Sequence, residues 1–551
     1  MRATNMKKMI SMARLLLAAV VALWFSAAAH ATAPGITGTG ATAGTFDLTA
    51  QAAFISQPDG QAVYSWGYGC TAAPPTGSFA PSNLSVSPFC NPMQVPGPTL
   101  IVTEGATVTV NLTNNLPTSA GSTSIIFSGF TLTGTTGGVT GMLTQEAAPG
   151  GTVQYTFVAS TPGTHAYYSG TQGDLQVEMG LYGAIIVLPK TVPTACTSGL
   201  AAQNLTAEGH WGELDYRLSQ AAYDNPKTCY DREYLFQFAE MDPTIHKKAE
   251  QQVAAAAAAC LANGAGSAGC SLQVPTEPYH PSYFLINGRS MPDDMDPNYA
   301  SEYPHQPYNG DPHMHPGEQV LIRVIGQGRW QHPFHEHGNH VRILGRDGNL
   351  ILAPDGANLA GPLLFTTTTT PGLAFDGIFY WTGKGLNWDA YAHNPTSNDP
   401  NASVTCTPDT NGYNTGNPNA INYYEWCQDH NKPLEVAPFG DVATGGPATL
   451  PDPNLFTNGP WYGGSPYLGP DATSRATSGG CTGSNNTTSC STTGTTPPSG
   501  TIANSPSSEA GYAFMWHSHN EREITTNNIF PGGMLMMMLV DSREFVIDET
   551  N

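Results

Sequence analysis

The chain has 551 residues and a formal net charge of −22 at pH 7, although only 11% of its residues are charged. Neither nucleic acid nor anionic membrane surfaces are expected partners for so acidic a protein, because like charges repel. The length exceeds what one hydrophobic core usually supports, and the many glycines (60) and prolines (45) favour a loop-rich β protein of more than one domain.

The amino-terminal segment has the pattern of a secretory signal. Basic residues precede an apolar run at 15–29, and Ala29-His30-Ala31 has the small-x-small form that signal peptidases cleave. We therefore predict that residues 1–31 are removed on export to the periplasm or the cell exterior, with an uncleaved anchor as the alternative. No later apolar stretch approaches the ~20 residues that cross a bilayer, so no membrane association is predicted for the mature chain.

Ten cysteines occur as near neighbours in the sequence. An even number of cysteines in an exported chain favours disulfides, and local pairing is the simplest prediction, although sequence does not fix connectivity. The predicted pairs are Cys70 with Cys90, Cys196 with Cys229, Cys260 with Cys270, Cys406 with Cys427, and Cys481 with Cys490. This pairing leaves no free thiol to serve as a metal ligand.

A first all-β domain is predicted over residues 45–190. Its clearest strands are short, alternate apolar with polar residues, and are separated by turns that contain glycine or proline. Such a pattern is typical of a Greek-key β-sandwich or barrel. The predicted strands are 99–103, 107–111, 152–157 and 184–188.

A second all-β domain is predicted over residues 200–546. One short helix is predicted between Asp242, which can cap its start, and Asn263-Gly264, which can end it, with Pro243 in the first turn and an alanine-rich stretch at 247–261. This helix is expected to pack on the outside of the domain. The segment at about 394–508, rich in Asn, Gly, Pro, Ser and Thr, is predicted to be an insertion that acts as a lid, an interaction surface or a disordered decoration.

Two histidine-rich stretches carry the clearest chemistry. They read His332-Pro333-Phe334-His335-Glu336-His337-Gly338 and Trp516-His517-Ser518-His519. Histidines at i and i+2 of a strand point to the same face, so two neighbouring strands can present four imidazole nitrogens to one small space. We therefore predict a metal site at His335, His337, His517 and His519. Imidazole suits both copper and zinc, so these residues alone do not name the metal.

Two other patterns carry weaker signals. His305, His313 and His315 precede a Pro-Gly turn, where we predict a solvated loop, with a copper-loading site as the alternative. Met534, Met536 and Met538 alternate along one strand, which predicts a methionine-lined core in preference to a Cu(I) site.

The order of these motifs resembles the multicopper oxidase superfamily, in its two-domain cupredoxin form. The resembling segments are 96–105, 149–157, 163–170 and 180–187 in the first domain, and 285–288, 316–323, 381–383 and the two histidine stretches in the second. They span nearly the whole mature chain apart from its insertions. The resemblance implies an all-β fold of two cupredoxin-like Greek-key domains with long loop insertions.

The resemblance also implies that half of the copper ligands are missing. The first-domain positions where the family has histidines are occupied by Ile126, Ser128, Tyr168 and Gly170. In the second domain, Ser518 stands in place of the type 1 cysteine and Glu523 in place of a type 1 histidine, which leaves His332 as a weaker metal ligand. A blue copper site and a complete trinuclear cluster are therefore not expected.

Three functions remain open on the sequence. The first is a secreted copper oxidoreductase with a non-blue site open to solvent, which receives electrons from its substrate or an external donor. The second is a non-catalytic copper storage or tolerance protein with a closed four-histidine site. The third is a metal-free structural or adhesive extracellular scaffold. The resemblance favours copper over zinc and implies a homotrimer, while the substrate, small molecule or metal ion, stays unidentified.

Overall fold

The computed structural model describes most of the chain between the amino terminus and the predicted insertion, and a carboxy-terminal part. The described residues are 33–39, 44–81, 90–197, 215–382, 407–416, 428, 464–467, 511–541 and 547. The predicted signal at 1–31, the pairs Cys406 with Cys427 and Cys481 with Cys490, and most of the predicted insertion at 394–508 lie outside these residues.

The first half of the described chain forms a β-sandwich, whose two sheets share one hydrophobic core. In spatial order, the six-stranded sheet contains β4 (Phe79–Ala80), β1 (Gly35–Ile36), β5 (Leu100–Thr103), β13 (Tyr182–Leu188), β12 (Gly163–Tyr168) and β7 (Ile126–Phe127). The five-stranded sheet contains β3 (Ala62–Cys70), β2 (Thr45–Ser56), β6 (Thr107–Asn114), β11 (Thr152–Val158) and β8 (Leu132–Gly137). A hairpin of β9 (Val139–Thr140) and β10 (Gln145–Glu146) lies beside them.

The second half forms another sandwich with its own aromatic and methionine-rich core. One sheet contains β15 (Tyr283–Ile286), β14 (Arg232–Met241), β17 (Gln319–Gly326), β23 (Ala374–Tyr380), β19 (Val341–Arg346) and β20 (Asn349–Leu350), with β21 (Leu363–Leu364) paired to β19. The other contains β16 (His313–Met314), β26 (Leu535–Asp541), β25 (Gly511–Ser518), β18 (His332–Glu336) and β22 (Thr366–Thr369), with β24 (Gly464–Tyr467) paired to β25.

Helices are few among the described residues. α1 spans Gly173–Gln176 and α2 spans Pro243–Asn263, and three-residue 3₁₀ turns lie at Thr118–Ala120, Thr194–Cys196 and Asp293–Met295. The side chain of Asp242 accepts a hydrogen bond from Thr244 N at 2.8 Å, and Gly264 follows the last turn, as the sequence predicts. α2 buries Ile245 and Ala249 in the core of the first sandwich. None of the described helices is long and apolar enough to cross a membrane.

The prediction of an all-β fold built from β-sandwiches is confirmed for the described residues. Each predicted strand of the first domain is present, because alternation such as that of Val108, Val110 and Leu112 places one face of β6 in the core. Parallel pairing of β2 with β6 and of β5 with β13 gives each sheet of the first sandwich its mixed character. Three of the predicted disulfides are confirmed within the described chain: Cys70 with Cys90, Cys196 with Cys229, and Cys260 with Cys270.

A buried polar network joins the two sandwiches. Arg323 of β17 forms ion pairs with Glu233 at 2.9 Å and with Asp376 at 3.3 Å. Asp376 in turn accepts hydrogen bonds from the backbone N–H of Thr164 at 3.1 Å and from its hydroxyl at 2.6 Å. Because Thr164 belongs to β12 of the first sandwich, these contacts fix one sandwich against the other.

Candidate metal centre

Two neighbouring strands carry the histidines of the candidate site. β18 and β25 pair in antiparallel fashion with His335 opposite His517. His337 and His519 each follow two residues later, just beyond the ends of these strands. Because alternate residues of a strand share a face, this register brings the four imidazoles to one side of the sheet.

Three of these imidazoles form a compact group. His335, His337 and His517 are buried, and one ring nitrogen from each lies within 4.8 Å of the other two. The Nε2 atoms of His337 and His517 are 3.1 Å apart. Metal–imidazole bonds of about 2 Å bring ligand nitrogens this close together around one ion.

His519 lies at the edge of the group. Its ring centroid is 4.9 Å from that of His335 and 5.6 Å from that of His517. Its side chain is 48% exposed, and its backbone N–H donates to Pro333 O at 2.8 Å. The structure thus places His519 beside the three buried histidines, at their boundary with solvent.

Hydrogen bonds orient two of the rings. His335 Nδ1 lies 2.6 Å from Thr366 Oγ1, and His517 Nδ1 lies 2.7 Å from the carbonyl oxygen of Ser518. Such contacts at one ring nitrogen fix the tautomer and leave the other nitrogen for a metal. Thr366 belongs to β22, the other neighbour of β18, and no motif in the sequence marks it as part of the site.

Burial favours the neutral form of these imidazoles. Burial, together with the neighbouring His517 and His519, lowers the pKa of His335 to about 4. Burial also lowers the pKa of His517. A neutral imidazole offers the lone pair that metal binding requires. The donor set therefore fits copper or zinc, both of which accept imidazole nitrogen.

One side of the cluster opens into a cavity of about 370 Å³. His335, His337 and His340 line the cavity together with Phe365. The ring of Phe365 lies 5.7 Å from that of His335, and this residue is 53% exposed. Cavities of this size accept small ligands. The histidine cluster is therefore reachable from solvent.

His332 lies apart from this cluster, between two carboxylates. Its Nε2 is 2.9 Å from Glu240 Oε2, and its Nδ1 is 2.9 Å from Glu523 Oε2. Burial opposes the charged form, but the hydrogen bonds to Glu240 and Glu523 outweigh it and raise the pKa of His332 to about 9. In the imidazolium form, both ring nitrogens donate hydrogen bonds, and neither has a lone pair for a metal. This geometry therefore does not support the weaker prediction that His332 is a metal ligand.

Glu523 fills the space between His332 and Ser518. The Ser518 hydroxyl donates to the same Oε2 atom of Glu523 that His332 contacts, and Asn520 Nδ2 donates to Oε1 at 2.8 Å. His332, Ser518 and Glu523 occupy the positions that the resemblance relates to a type 1 copper site. Their side chains lie together and are joined by hydrogen bonds, and none of them is a thiolate. Glu240, 92 positions before His332 in β14, completes this network, and sequence reasoning missed it because no motif marks it.

The first-domain positions lie in a different environment. The Ser128 hydroxyl is 3.5 Å from that of Tyr168. Tyr168 and Gly170 line a separate cavity of about 270 Å³, together with Gln327 and Gly372 of the second sandwich. None of the four clustered histidines lines this cavity.

The structure also shows where the residues of the weaker histidine and methionine patterns lie. The predicted solvated loop at His313 is wrong, because His313 is buried with Nδ1 2.6 Å from Asp541 Oδ2 and Nε2 3.3 Å from Asp311 Oδ2. These two aspartates raise the pKa of His313 well above its ordinary value, against the effect of burial. The predicted methionine core is confirmed, since Met534, Met536 and Met538 are all buried in the second sandwich.

Comparison with known proteins connects this fold to copper proteins. Residues 88–192 match the family model described as multicopper oxidase. The chain is 36% identical over 99 residues to a multicopper oxidase of Talaromyces pinophilus, and 38% identical over 96 residues to an L-ascorbate oxidase of Brassica rapa subsp. pekinensis. These matches cover 18% and 17% of this chain, and the chain spans about 16% of the length of each relative.

Solved structures were also compared with this chain. The blue copper oxidase of Nitrosomonas europaea aligns with 90% of this chain and 85% of its own, at 16% identity and a TM-score of 0.41. The match to the family model falls on the first sandwich, outside the histidine cluster. The comparisons thus show similarity to multicopper oxidases over residues 88–192, in the first sandwich.

Proposed function

We propose that this chain is an exported copper-binding protein with a single non-blue copper site. His335, His337 and His517 hold the metal, and His519 completes the ligand set. The main observation behind this proposal is that one ring nitrogen from each of these three buried histidines lies within 4.8 Å of the other two. The similarity of residues 88–192 to multicopper oxidases supports copper over zinc, which the same imidazoles would also accept.

The site is proposed to be non-blue because it has no thiolate. Ser518 occupies the position between His517 and His519, and the six cysteines in the described part of the chain all form disulfides. A blue site needs a cysteine thiolate beside its histidines. Without that sulfur, the site also lacks the family's internal route for electrons, so we propose that electrons arrive from the substrate or from an external donor.

We further propose that the site supports oxidoreductase chemistry. Copper supplies a centre that can cycle between Cu(I) and Cu(II). The chain's own residues set the conditions for that cycle: Thr366 orients His335, the Ser518 carbonyl orients His517, and Phe365 lines the cavity. The cavity of about 370 Å³ favours this function over closed storage, because it admits a small molecule beside the histidines. A metal-free scaffold is the competing account.

The cellular setting of this function is part of the proposal. Disulfides persist in oxidising compartments, which supports a periplasmic or extracellular protein. The net charge of −22 opposes binding to nucleic acid or anionic membranes. On the basis of the resemblance, we also propose that the protein forms a homotrimer and that its substrate is a small molecule or a metal ion.

Replacing Thr366 with valine tests whether His335 binds the metal. The change keeps the side-chain shape and removes the hydroxyl that lies 2.6 Å from His335 Nδ1. Loss of an orienting partner typically lowers metal affinity about 10-fold to 100-fold, and we expect a loss of that size in a copper competition titration.

Thr368→Val is the matched control, because Thr368 lies two residues further along the same strand with its side chain exposed. It should leave copper affinity unchanged. Equal affinities for Thr366→Val and Thr368→Val would remove His335 from the ligand set.

A further inference from the structure

A second group of metal-binding side chains is buried in the second sandwich, away from the histidine cluster. Asp294, in the 3₁₀ turn Asp293–Met295, is fully buried, and Asp311 is nearly so. Within the described chain, neither carboxylate oxygen of Asp294 meets a hydrogen-bond donor from another residue, nor does Oδ1 of Asp311. Buried polar atoms are normally paired, so these three unsatisfied carboxylate oxygens call for a partner.

The backbone holds these two aspartates close together. Gly310 N donates to the carbonyl oxygen of Asp294 at 2.6 Å, and Asn309 N donates to Asn298 Oδ1 at 3.0 Å. A Cβ atom placed on Gly310 would lie 3.8 Å from Asp294 Cβ. The segment that carries Asp311 therefore runs directly beside Asp294.

The nearby guanidinium does not neutralise this pair. Arg289 is buried in the same loop, and its hydrogen bonds go to the backbone carbonyl oxygens of Gln306, Asp293, Asp296 and Pro297. Burial, reinforced by Asp311 and only partly opposed by Arg289, raises the pKa of Asp294 well above its ordinary value. Without a bound cation, these surroundings favour the neutral form of the Asp294 carboxyl. A bound cation would stabilise its ionised form.

We propose that Asp294 and Asp311 bind a buried calcium ion, together with amide or carbonyl oxygens of the adjacent loop. Calcium takes six to eight oxygen ligands in flexible geometry, whereas magnesium demands a tighter octahedron and keeps several of its waters. A fully buried position with protein oxygens favours calcium on both counts. Asn298 and Asn309, both buried, lie in the right segments to contribute further oxygens.

The calcium site is connected to the strand that supports the histidine cluster. Asp311 Oδ2 lies 3.3 Å from His313 Nε2, and His313 Nδ1 lies 2.6 Å from Asp541 Oδ2 at the end of β26. β26 pairs along its length with β25, which carries His517. Calcium is therefore expected to stabilise the fold and to leave the copper ligands themselves unchanged. The proposal does not rest on the copper site.

The test is calcium titration of the full mature chain after treatment with EGTA. We expect about one calcium per chain by calorimetry and a rise in the thermal unfolding midpoint of about 5 °C on adding CaCl₂. Asp294→Asn should abolish both effects. Asp293→Asn, an equal change of charge at the neighbouring residue, should retain them, as should a variant with His335 and His517 both changed to alanine.

Three outcomes would overturn this assignment. The first is wild-type protein that neither binds calcium at unit stoichiometry nor gains thermal stability from it. The second is a response to MgCl₂ with none to CaCl₂. The third is a calcium response that survives in Asp294→Asn. If Asp294→Asn fails to fold, the calorimetric titration of the wild type and of Asp293→Asn decides the question alone.

Discussion

Replacing His332 with leucine is expected to destabilise the protein by about 3–5 kcal/mol, because it leaves two buried carboxylates without their shared cation. Glu240 and Glu523 each lie 2.9 Å from a ring nitrogen of His332, and all three side chains are buried. Urea unfolding at pH 7 measures the loss. His340→Leu is the control, since His340 is an exposed histidine shortly after the same strand, and it should cost little.

The pH dependence of unfolding provides an independent check on the charge of His332. The pKa of His332 is raised from 6.5 to about 9, so the folded protein holds this proton more tightly than the unfolded chain does. The resulting stabilisation is complete below pH 6.5 and is lost as the pH rises through about 9. Its size is on the order of 3 kcal/mol. Parallel pH profiles for the wild type and His332→Leu would show that His332 is not charged in the folded state.

The double change Ser518→Cys with Glu523→His is expected to create a blue copper site. The side chains of His332, Ser518 and Glu523 already converge, with His332 Nδ1 and the Ser518 hydroxyl both directed at one oxygen of Glu523. The substitutions place a thiolate and a second imidazole beside His332 Nδ1, which completes the two-histidine, one-cysteine set of blue copper proteins. Glu240 remains on Nε2 of His332 and can orient the ring.

The measurement is the visible spectrum of the copper-loaded double variant. An intense thiolate-to-copper band should appear that the wild type lacks. Ser518→Cys alone is the control, and it should give a weaker or unstable colour because Glu523 still bonds to His332. A folded, copper-loaded double variant without such a band would show that the geometry around His332 no longer suits a type 1 site.

Local patterns in the sequence predict much of this fold. Alternating strands such as β6 and β11 follow from period-two hydrophobicity, and the capped start of α2 follows from Asp242 before Pro243. The spacing of His335 with His337 and of His517 with His519 predicts two pairs on one face. The structure supplies the register, with His335 directly opposite His517, that turns two pairs into one cluster.

Long-range pairing explains what the sequence could not predict. Glu240 lies 92 positions before His332, and no pattern in the sequence indicates that its carboxylate will engage Nε2. The resemblance relates the position of Glu523 to that of His332, but it does not indicate an ion pair with Nδ1. His313 presents the same situation, since Asp541 lies 228 positions away. In both cases, a histidine that looks like a candidate ligand in the sequence becomes a buried cation between two acids.

The most direct test of the central claim is metal analysis with electron paramagnetic resonance on the mature, copper-loaded protein, beside a variant with both His335 and His517 changed to alanine. The proposed site predicts about one copper per chain and a type 2 spectrum without a thiolate band, both absent in the variant. Wild-type protein without stoichiometric copper, or copper binding that survives the double change, would contradict the histidine site and favour the metal-free scaffold.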